Sequence, residues 1–239
     1  MFNLFKKISA LFLIVVLFQI PVFAVLDCEL PEKKEMKNHV INASQVLPED
    51  WESYTPHEKG NFSEELVDGL FGRAGFFSCP SKHPVGNQGA DGLYVLMTPA
   101  KNHIAQIEGE PIIILNEVKY SSDGQLRLGQ MGCKRCVGGP EECNQLSWKW
   151  CYNAIEWIET KSPAYCGKDK ETCKVVCPAI QEKLLRSEKA LTTHLVRMAT
   201  LVDSTGNITF FSIGNEYERG VSQKWIKLIF NKIFPTRKT

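Results

Sequence analysis

Three charged residues, Asp91, Glu117 and Lys119, have the types and the spacing that a hydrolytic site needs. Asp91 opens one predicted strand and Glu117-Val118-Lys119 ends another, so Glu117 and Lys119 share a face while Val118 points to the core. Two carboxylates at the ends of neighbouring strands can hold Mg²⁺, which activates water and neutralises charge on a phosphate. The lysine adds a cation that orients the water or stabilises the transition state. This set fits phosphodiester hydrolysis.

The periodicity of apolar residues predicts the elements that would hold these side chains. A helix is expected over 62–71, with Ser63 as its cap and Gly72 and Gly75 after its end. The remaining predicted elements are strands over 93–97, 104–107 and 112–120, helices over 141–160 and 179–190, and a hairpin over 194–202 and 208–213. The basic, apolar tail from Lys224 predicts a docked terminal helix, or alternatively a surface that contacts membrane or phosphate.

The segments around the Glu-x-Lys tripeptide support a functional role for it. Taken alone, it is also what a solvated strand end contains. Here a Gly-Ala-Asp-Gly turn (89–92) leads into a strand, an apolar strand (112–120) ends in Glu-Val-Lys, and Gln145-x-Ser147 follows early in a predicted helix. In this order the segments resemble the PD-(D/E)xK restriction-endonuclease-like superfamily, and most closely its bacterial toxin nucleases.

The resemblance covers residues 62–213 and implies an α/β fold in which a mixed central sheet is flanked by helices. It also implies metal-dependent cleavage of DNA or, less often, RNA. By motif position, Asp91 and Glu117 would bind Mg²⁺ or Mn²⁺, and Lys119 would be the catalytic lysine. Gln145 would reach the site from the following helix.

Superfamily members often add a carboxylate from a helix that precedes the strands. We expect Glu65 in this role, with Glu64 as the next candidate and a solvated helix face as the alternative for both. The sequence departs from the pattern in two ways. It lacks the proline directly before Asp91, and it inserts a cysteine-rich segment, around 131–178, after the Glu-x-Lys strand.

The N-terminus has the pattern of a targeting segment. Residues 1–24 contain Lys6 and Lys7, then an apolar run, and end in Ala24, which predicts a secretory signal peptide. The alternative is a membrane anchor, but Gln19 and Pro21 interrupt the apolar run too early. We therefore expect a periplasmic or extracellular protein with no stable membrane span after cleavage. Residues 25–60 are predicted to be a loosely packed polar extension, and 61–239 the nuclease-like domain.

Nine cysteines accompany this predicted export, and seven of them lie between Cys133 and Cys177. An oxidising compartment favours disulfides among them. The alternative is a zinc site, for which Cys133-x-x-Cys136 and Cys173-x-x-x-Cys177 have suitable spacings. A helix over 141–160 would place Cys143 and Cys151 about 12 Å apart along its axis, too far to pair with each other.

Composition limits the classes of function. The chain has 239 residues, of which 44% are hydrophobic and 23% charged, which excludes a collagenous, coiled-coil or wholly disordered protein. The formal net charge is +1, and loss of the signal peptide leaves 26 Lys and Arg against 27 Asp and Glu. No global positive field attracts nucleic acid, so such binding must come from local patches.

Two hypotheses follow from the sequence. The first is an exported, disulfide-stabilised, Mg²⁺-dependent nuclease that acts as a toxin or effector. Its substrate would be DNA in preference to RNA, and an immunity or inhibitor protein would be a further partner. The second is a secreted, disulfide-rich binding module on an inactive restriction-endonuclease-like scaffold, because a fold does not imply a function.

Overall fold

A six-stranded mixed sheet forms the centre of the protein. The computed structural model describes residues 31, 33–79, 90–98, 103–107, 110–133, 141–158 and 170–214. Its strands are β1 (Lys33–Asn42), β2 (Phe76–Cys79), β3 (Gly92–Leu96), β4 (Gln106–Ile107), β5 (Glu110–Pro111), β6 (Ile113–Ser121), β7 (Gln130–Cys133), β8 (Glu141–Asn144), β9 (Leu195–Asp203) and β10 (Asn207–Ile213). The helices are α1 (Pro56–Arg73), α2 (Trp148–Ile158), α3 (Lys170–Leu185) and α4 (Glu188–His194). The predicted signal peptide and the tail from Lys224 lie outside the described residues.

The strands of the central sheet lie in the order β1-β10-β9-β6-β3-β2. Strands β6 and β9 are parallel, and every other neighbouring pair in this sheet is antiparallel. The pairs β4–β5 and β7–β8 form separate two-stranded sheets. The protein is thus a mixed α/β structure with a mixed central sheet, as the sequence predicts at this level.

Helices cover both faces of the sheet and give two apolar cores. On one face, Phe71 of α1 packs with Ile114 and Val118 of β6. On the other face, Ile113 and Leu115 of the same strand pack with α2 and α3. The predicted apolar run of β6 is therefore a central strand that is buried on both faces. Within the described residues, no helix is both long and apolar enough to cross a membrane.

Residues 33–60 are packed onto the domain, which differs from the loose extension predicted for them. Strand β1 pairs with β10 along the edge of the sheet. Trp51 is buried, its ring packs against Phe62 and Tyr120, and its indole N–H donates to the carbonyl of Ser204 at 3.3 Å. Strand β1 was not predicted because it begins with the charged residues Lys-Lys-Glu. Edge strands often carry charged side chains and need not show alternating apolar residues.

Helix α1 begins at Pro56, six residues before its apolar periodicity does. The Thr55 hydroxyl accepts a hydrogen bond from the backbone of Glu58 at 3.3 Å, and the Glu58 carboxylate accepts one from the backbone of Thr55 at 2.8 Å. This capping box, with a proline at the first helical position, fixes the start of the helix. Ser63, predicted as the cap, lies inside the helix, where its hydroxyl donates to the carbonyl of Lys59 at 2.7 Å.

Three other predicted elements differ from the structure. The helix expected over 179–190 is divided between the end of α3 and the start of α4, which Arg186 and Ser187 separate. Residues 106–107 pair with 110–111 instead of joining the central sheet. The helix expected over 141–160 begins only at Trp148, because 141–144 form β8 in a hairpin with β7. The predicted hairpin near the C-terminus is present as β9 and β10, and Gly206, with φ of 79°, makes the turn between them.

Candidate functional site

Asp91, just before β3 begins, lies opposite Glu117 in the middle of the adjacent strand β6. The register of β3 and β6 pairs Gly92 with Asn116, which places Asp91 opposite Glu117. The Asp91 carboxylate accepts a hydrogen bond through Oδ2 from the backbone N–H of Val118 at 2.7 Å. The two predicted metal ligands are therefore brought together, and the backbone of β6 fixes the position of Asp91.

Glu117 is the centre of the site. Its side chain is buried, and its Oε1 atom accepts hydrogen bonds from Lys119 Nζ at 2.6 Å and from Gln145 Nε2 at 2.5 Å. The contact with Gln145 spans 28 residues of sequence. Lys119, from the same Glu-x-Lys motif, and Gln145, from a distant one, thus both contact Glu117 beside Asp91.

Lys119 is held in its charged form. Burial lowers the pKa of its ammonium group, but the charge and hydrogen bond of Glu117, with the charges of Asp91 and Glu64, outweigh burial and raise the pKa above its usual value. A lysine with a raised pKa is a cation at neutral pH and not a general base. Its chemistry here is to balance negative charge.

Gly92 is required by the way Tyr94 lies over it. A Cβ atom at position 92 would overlap with the ring and hydroxyl of Tyr94, which is fixed from its other side by a stacked Phe71 ring at 4.0 Å. Burial, followed by the charges of nearby carboxylates that include Asp68 and Asp91, raises the pKa of Tyr94 well above its usual value. The glycine after Asp91 is therefore a steric requirement of the site.

Of the two candidate carboxylates on α1, Glu64 interacts electrostatically with the site. Glu65 is exposed on α1, whereas Glu64 is half-buried and its charge acts on both Lys119 and Tyr94. One residue along a helix is a rotation of about 100°, so adjacent glutamates face different directions. The role of Glu65 stays a prediction, and its exposure favours Glu64, the next candidate, because the sequence alone does not fix the rotational phase of α1.

Gln145 reaches Glu117 from a turn and not from within a helix. It follows β8 directly, and its side-chain Oε1 accepts a hydrogen bond from Gly129 N at 2.8 Å while its own N–H donates to the Gly129 carbonyl at 3.0 Å. Leu146 has a φ of 63°, a left-handed conformation that is uncommon for a leucine. The Ser147 hydroxyl then accepts from Trp150 N at 3.3 Å at the start of α2.

Arg197 supports this turn and was missed in the sequence. It is buried in β9, donates from Nη1 to the carbonyl of Leu146 at 2.6 Å, and lies over the Trp148 ring with its Cζ atom 3.8 Å from the centroid. A strained residue persists only where its surroundings hold it. An arginine in the run 195–202, where Thr200 is the one other polar residue, was the available signal, since a buried charge needs a specific partner.

The carboxylates of Asp91 and Glu117 are oxygen donors of the type that a hard divalent ion needs. Among the described residues, no group of three or more His, Cys, Asp or Glu side chains is arranged to hold a metal ion. Asp91 and Glu117 nevertheless lie opposite each other, and Mg²⁺ is commonly bound by one or two carboxylates together with waters and substrate phosphates. The oxygen donors fit a hard divalent ion.

The cysteines of the described region are divided between disulfides and thiols. Cys143 and Cys173 are disulfide-bonded, whereas Cys79, Cys151 and Cys177 are buried thiols. Cys173 therefore cannot be the zinc thiolate that one alternative required. The prediction that Cys143 and Cys151 do not pair is confirmed, although Cys143 lies in β8 and not in a helix.

Comparison with known proteins found no counterpart: no family model, no curated protein and no solved structure matches this chain.

Proposed function

We propose that the protein is an exported, metal-dependent nuclease of restriction-endonuclease-like fold that hydrolyses phosphodiester bonds in DNA, or less often in RNA. The observation that carries the proposal is the contact of Glu117 with Lys119 and Gln145 beside Asp91. A solvated strand end, the alternative for Glu-x-Lys, would leave Glu117 exposed, but its side chain is only 3% exposed.

Each residue has a role that follows from its position. Asp91 and Glu117 would hold Mg²⁺ or Mn²⁺, which when bound would activate a water and neutralise charge on the phosphate. The Lys119 ammonium balances the carboxylates and orients water or stabilises the negative transition state. Gln145 fixes the rotamer of Glu117 through its amide. Glu64 of α1 adds negative charge that acts on Lys119.

The biological setting is part of the same proposal. The predicted signal peptide at 1–24 supports release to the periplasm or the exterior. The disulfides at Cys143 and Cys173 are consistent with an oxidising compartment. A nuclease exported in this form would act as a toxin or effector, with an immunity or inhibitor protein as a partner in the producing cell.

Cleavage of plasmid DNA and of single-stranded RNA by the oxidised protein tests the activity. We expect cleavage with Mg²⁺ or Mn²⁺ and none with a chelator. Asp91→Asn and Glu117→Gln should abolish it, and Lys119→Ala should reduce it by orders of magnitude. Full activity in the Glu117→Gln protein would contradict the proposed role of Glu117 as a metal ligand.

Adjacent glutamates provide a matched control for the helix carboxylate. Glu64→Gln should lower cleavage strongly. Glu65→Gln, the same substitution at an exposed neighbouring position, should leave cleavage close to wild type. Calorimetric titration with Mn²⁺ in the absence of substrate gives a separate readout for Asp91 and Glu117. Absence of both Mn²⁺ binding and cleavage in folded protein would favour the inactive binding module, in which Glu117 and Lys119 are a structural ion pair.

A further inference from the structure

Three buried cysteines lie together where β2 meets α3. The Sγ atoms of Cys79 and Cys177 are 2.7 Å apart, and the Sγ atoms of Cys177 and Cys173 are 3.6 Å apart. Cys79 is the last residue of β2, and the other two lie one helical turn apart on α3. All three belong to the apolar core on that face of the sheet.

The approach of Cys79 to Cys177 is closer than packing alone requires. Non-bonded carbon atoms attract each other best at about 3.5–4.0 Å. Sulfur is larger than carbon, so two non-bonded sulfur atoms are expected to lie at least as far apart. Burial and the neighbouring Cys177 thiol also raise the pKa of Cys79 well above its usual value, so Cys79 is protonated in the folded protein. Two sulfur atoms that are not bonded would repel each other at 2.7 Å, whereas a disulfide bond would keep the two sulfur atoms close together.

We propose that Cys79 and Cys177 are joined by a disulfide in the exported protein, which covalently ties β2 to α3. This link is independent of the proposed nuclease activity. Its two sulfurs are 98 residues apart in the sequence, and the closed loop contains all four contacting site residues, Asp91, Glu117, Lys119 and Gln145.

The oxidation balances with a small-molecule disulfide such as oxidised glutathione. A Cys177 thiolate attacks one sulfur of the reagent, which releases one thiol and leaves a mixed disulfide on Cys177. Cys79 then attacks the Cys177 sulfur, releases the second thiol and completes the protein disulfide. Because the relative exposure of Cys79 is 1% and that of Cys177 is 5%, the exchange takes place before α3 docks on β2.

Peptide mapping of full-length protein purified from an oxidising compartment tests the link. The protein is denatured without reductant, alkylated at acidic pH and digested with trypsin. Trypsin cuts after Lys174, which separates Cys173 from Cys177 and makes their bonds distinguishable. We expect peptides Ala74–Lys82 and Val175–Lys183 to be recovered as one species, two hydrogens lighter than their sum, that separates on reduction.

Two outcomes would overturn the proposal. One is recovery of both peptides as alkylated thiols from protein in which Cys143 and Cys173 remain bonded. The other is a bond from Cys177 to Cys173 in place of Cys79. Neither outcome depends on whether the protein cleaves nucleic acid, so the link and the proposed activity can fail separately.

Thermal unfolding gives a second measurement with a matched control. Cys79→Ala and Cys151→Ala each remove one sulfur from the same core. The first should lower the midpoint of the oxidised protein by about 5–10 °C more than the second, because it also removes the crosslink. Equal losses in the two variants would contradict the link even where mapping is incomplete.

Discussion

Replacing Lys119 by methionine removes the ammonium group that contacts the buried carboxylate of Glu117 while keeping most of the apolar stem. The Glu117 side chain is 3% exposed and that of Lys119 is 30% exposed. The pair therefore lies between a surface ion pair, which contributes about 0–1 kcal/mol, and a fully buried one, whose disruption costs about 3–5 kcal/mol. Because Gln145 still donates to Glu117, we expect the free energy of unfolding to fall by about 2 kcal/mol.

Urea unfolding followed by tryptophan fluorescence at pH 7, without divalent metal, measures this loss. The matched control is Lys174→Met, which breaks the ion pair of Lys174 with Glu171. The side chain of Lys174 is 49% exposed and that of Glu171 is 86% exposed. That change should cost no more than about 0.5 kcal/mol. In a Glu117→Gln background, Lys119→Met should cost roughly nothing, since the coupled charge is gone. An equal cost in both backgrounds would refute the reasoning.

Three further predictions concern the same site. The pKa of Lys119 is raised above 10.5 in the folded protein, so its stabilising effect is fully present below pH 10.5 and is lost as the pH rises through the folded pKa. Urea midpoints of wild type should thus fall more steeply than those of Lys119→Met in this alkaline range, and parallel curves would contradict the shift. Gly92→Ala should destabilise the protein by about 1–3 kcal/mol, because the new methyl group overlaps with Tyr94. Gly72→Ala, where a Cβ meets nothing within 4 Å, is the control for chemical denaturation, and equal effects would disprove the overlap. Arg197→Met should cost about 2–4 kcal/mol, through loss of the bond to Leu146 and of the contact with Trp148. Arg127→Met, which changes an exposed side chain, should have little effect on stability, and an Arg197 variant as stable as this one would show that the turn needs no support.

The meeting of Asp91 with Glu117 could be predicted because it depends on local patterns. Alternation along β6 sets the face of Glu117, and an apolar strand that pairs with its neighbour places the two residues together. Lys119 follows from the same alternation. These relations need only the strand period, which the sequence carries directly.

The supporting residues could be predicted only in part, because the position of each depends on a tertiary contact. Glu64 and Glu65 differ only in the rotation of α1, which is set by packing on the sheet. Gln145 was placed in a helix because the hairpin that precedes it has no clear alternation. Arg197 contacts Leu146 across 51 residues of sequence, and no local pattern encodes that contact.

The pairing of β1 with β10 has a consequence for when this chain can fold. Lys33 lies opposite Ile213 and Asn42 lies opposite Asn207. Strand β1 therefore cannot form its hydrogen bonds until β10 has been synthesised. The central parallel pair has the same property, since Ile113 of β6 lies opposite Leu195. Sheets built from such distant pairings fold slowly, in milliseconds to seconds, because loop closure precedes the stabilising contacts. A nascent chain with this topology cannot complete its central sheet until residues 195–213 have been synthesised, so an incomplete chain lacks the partners of β1 and β6.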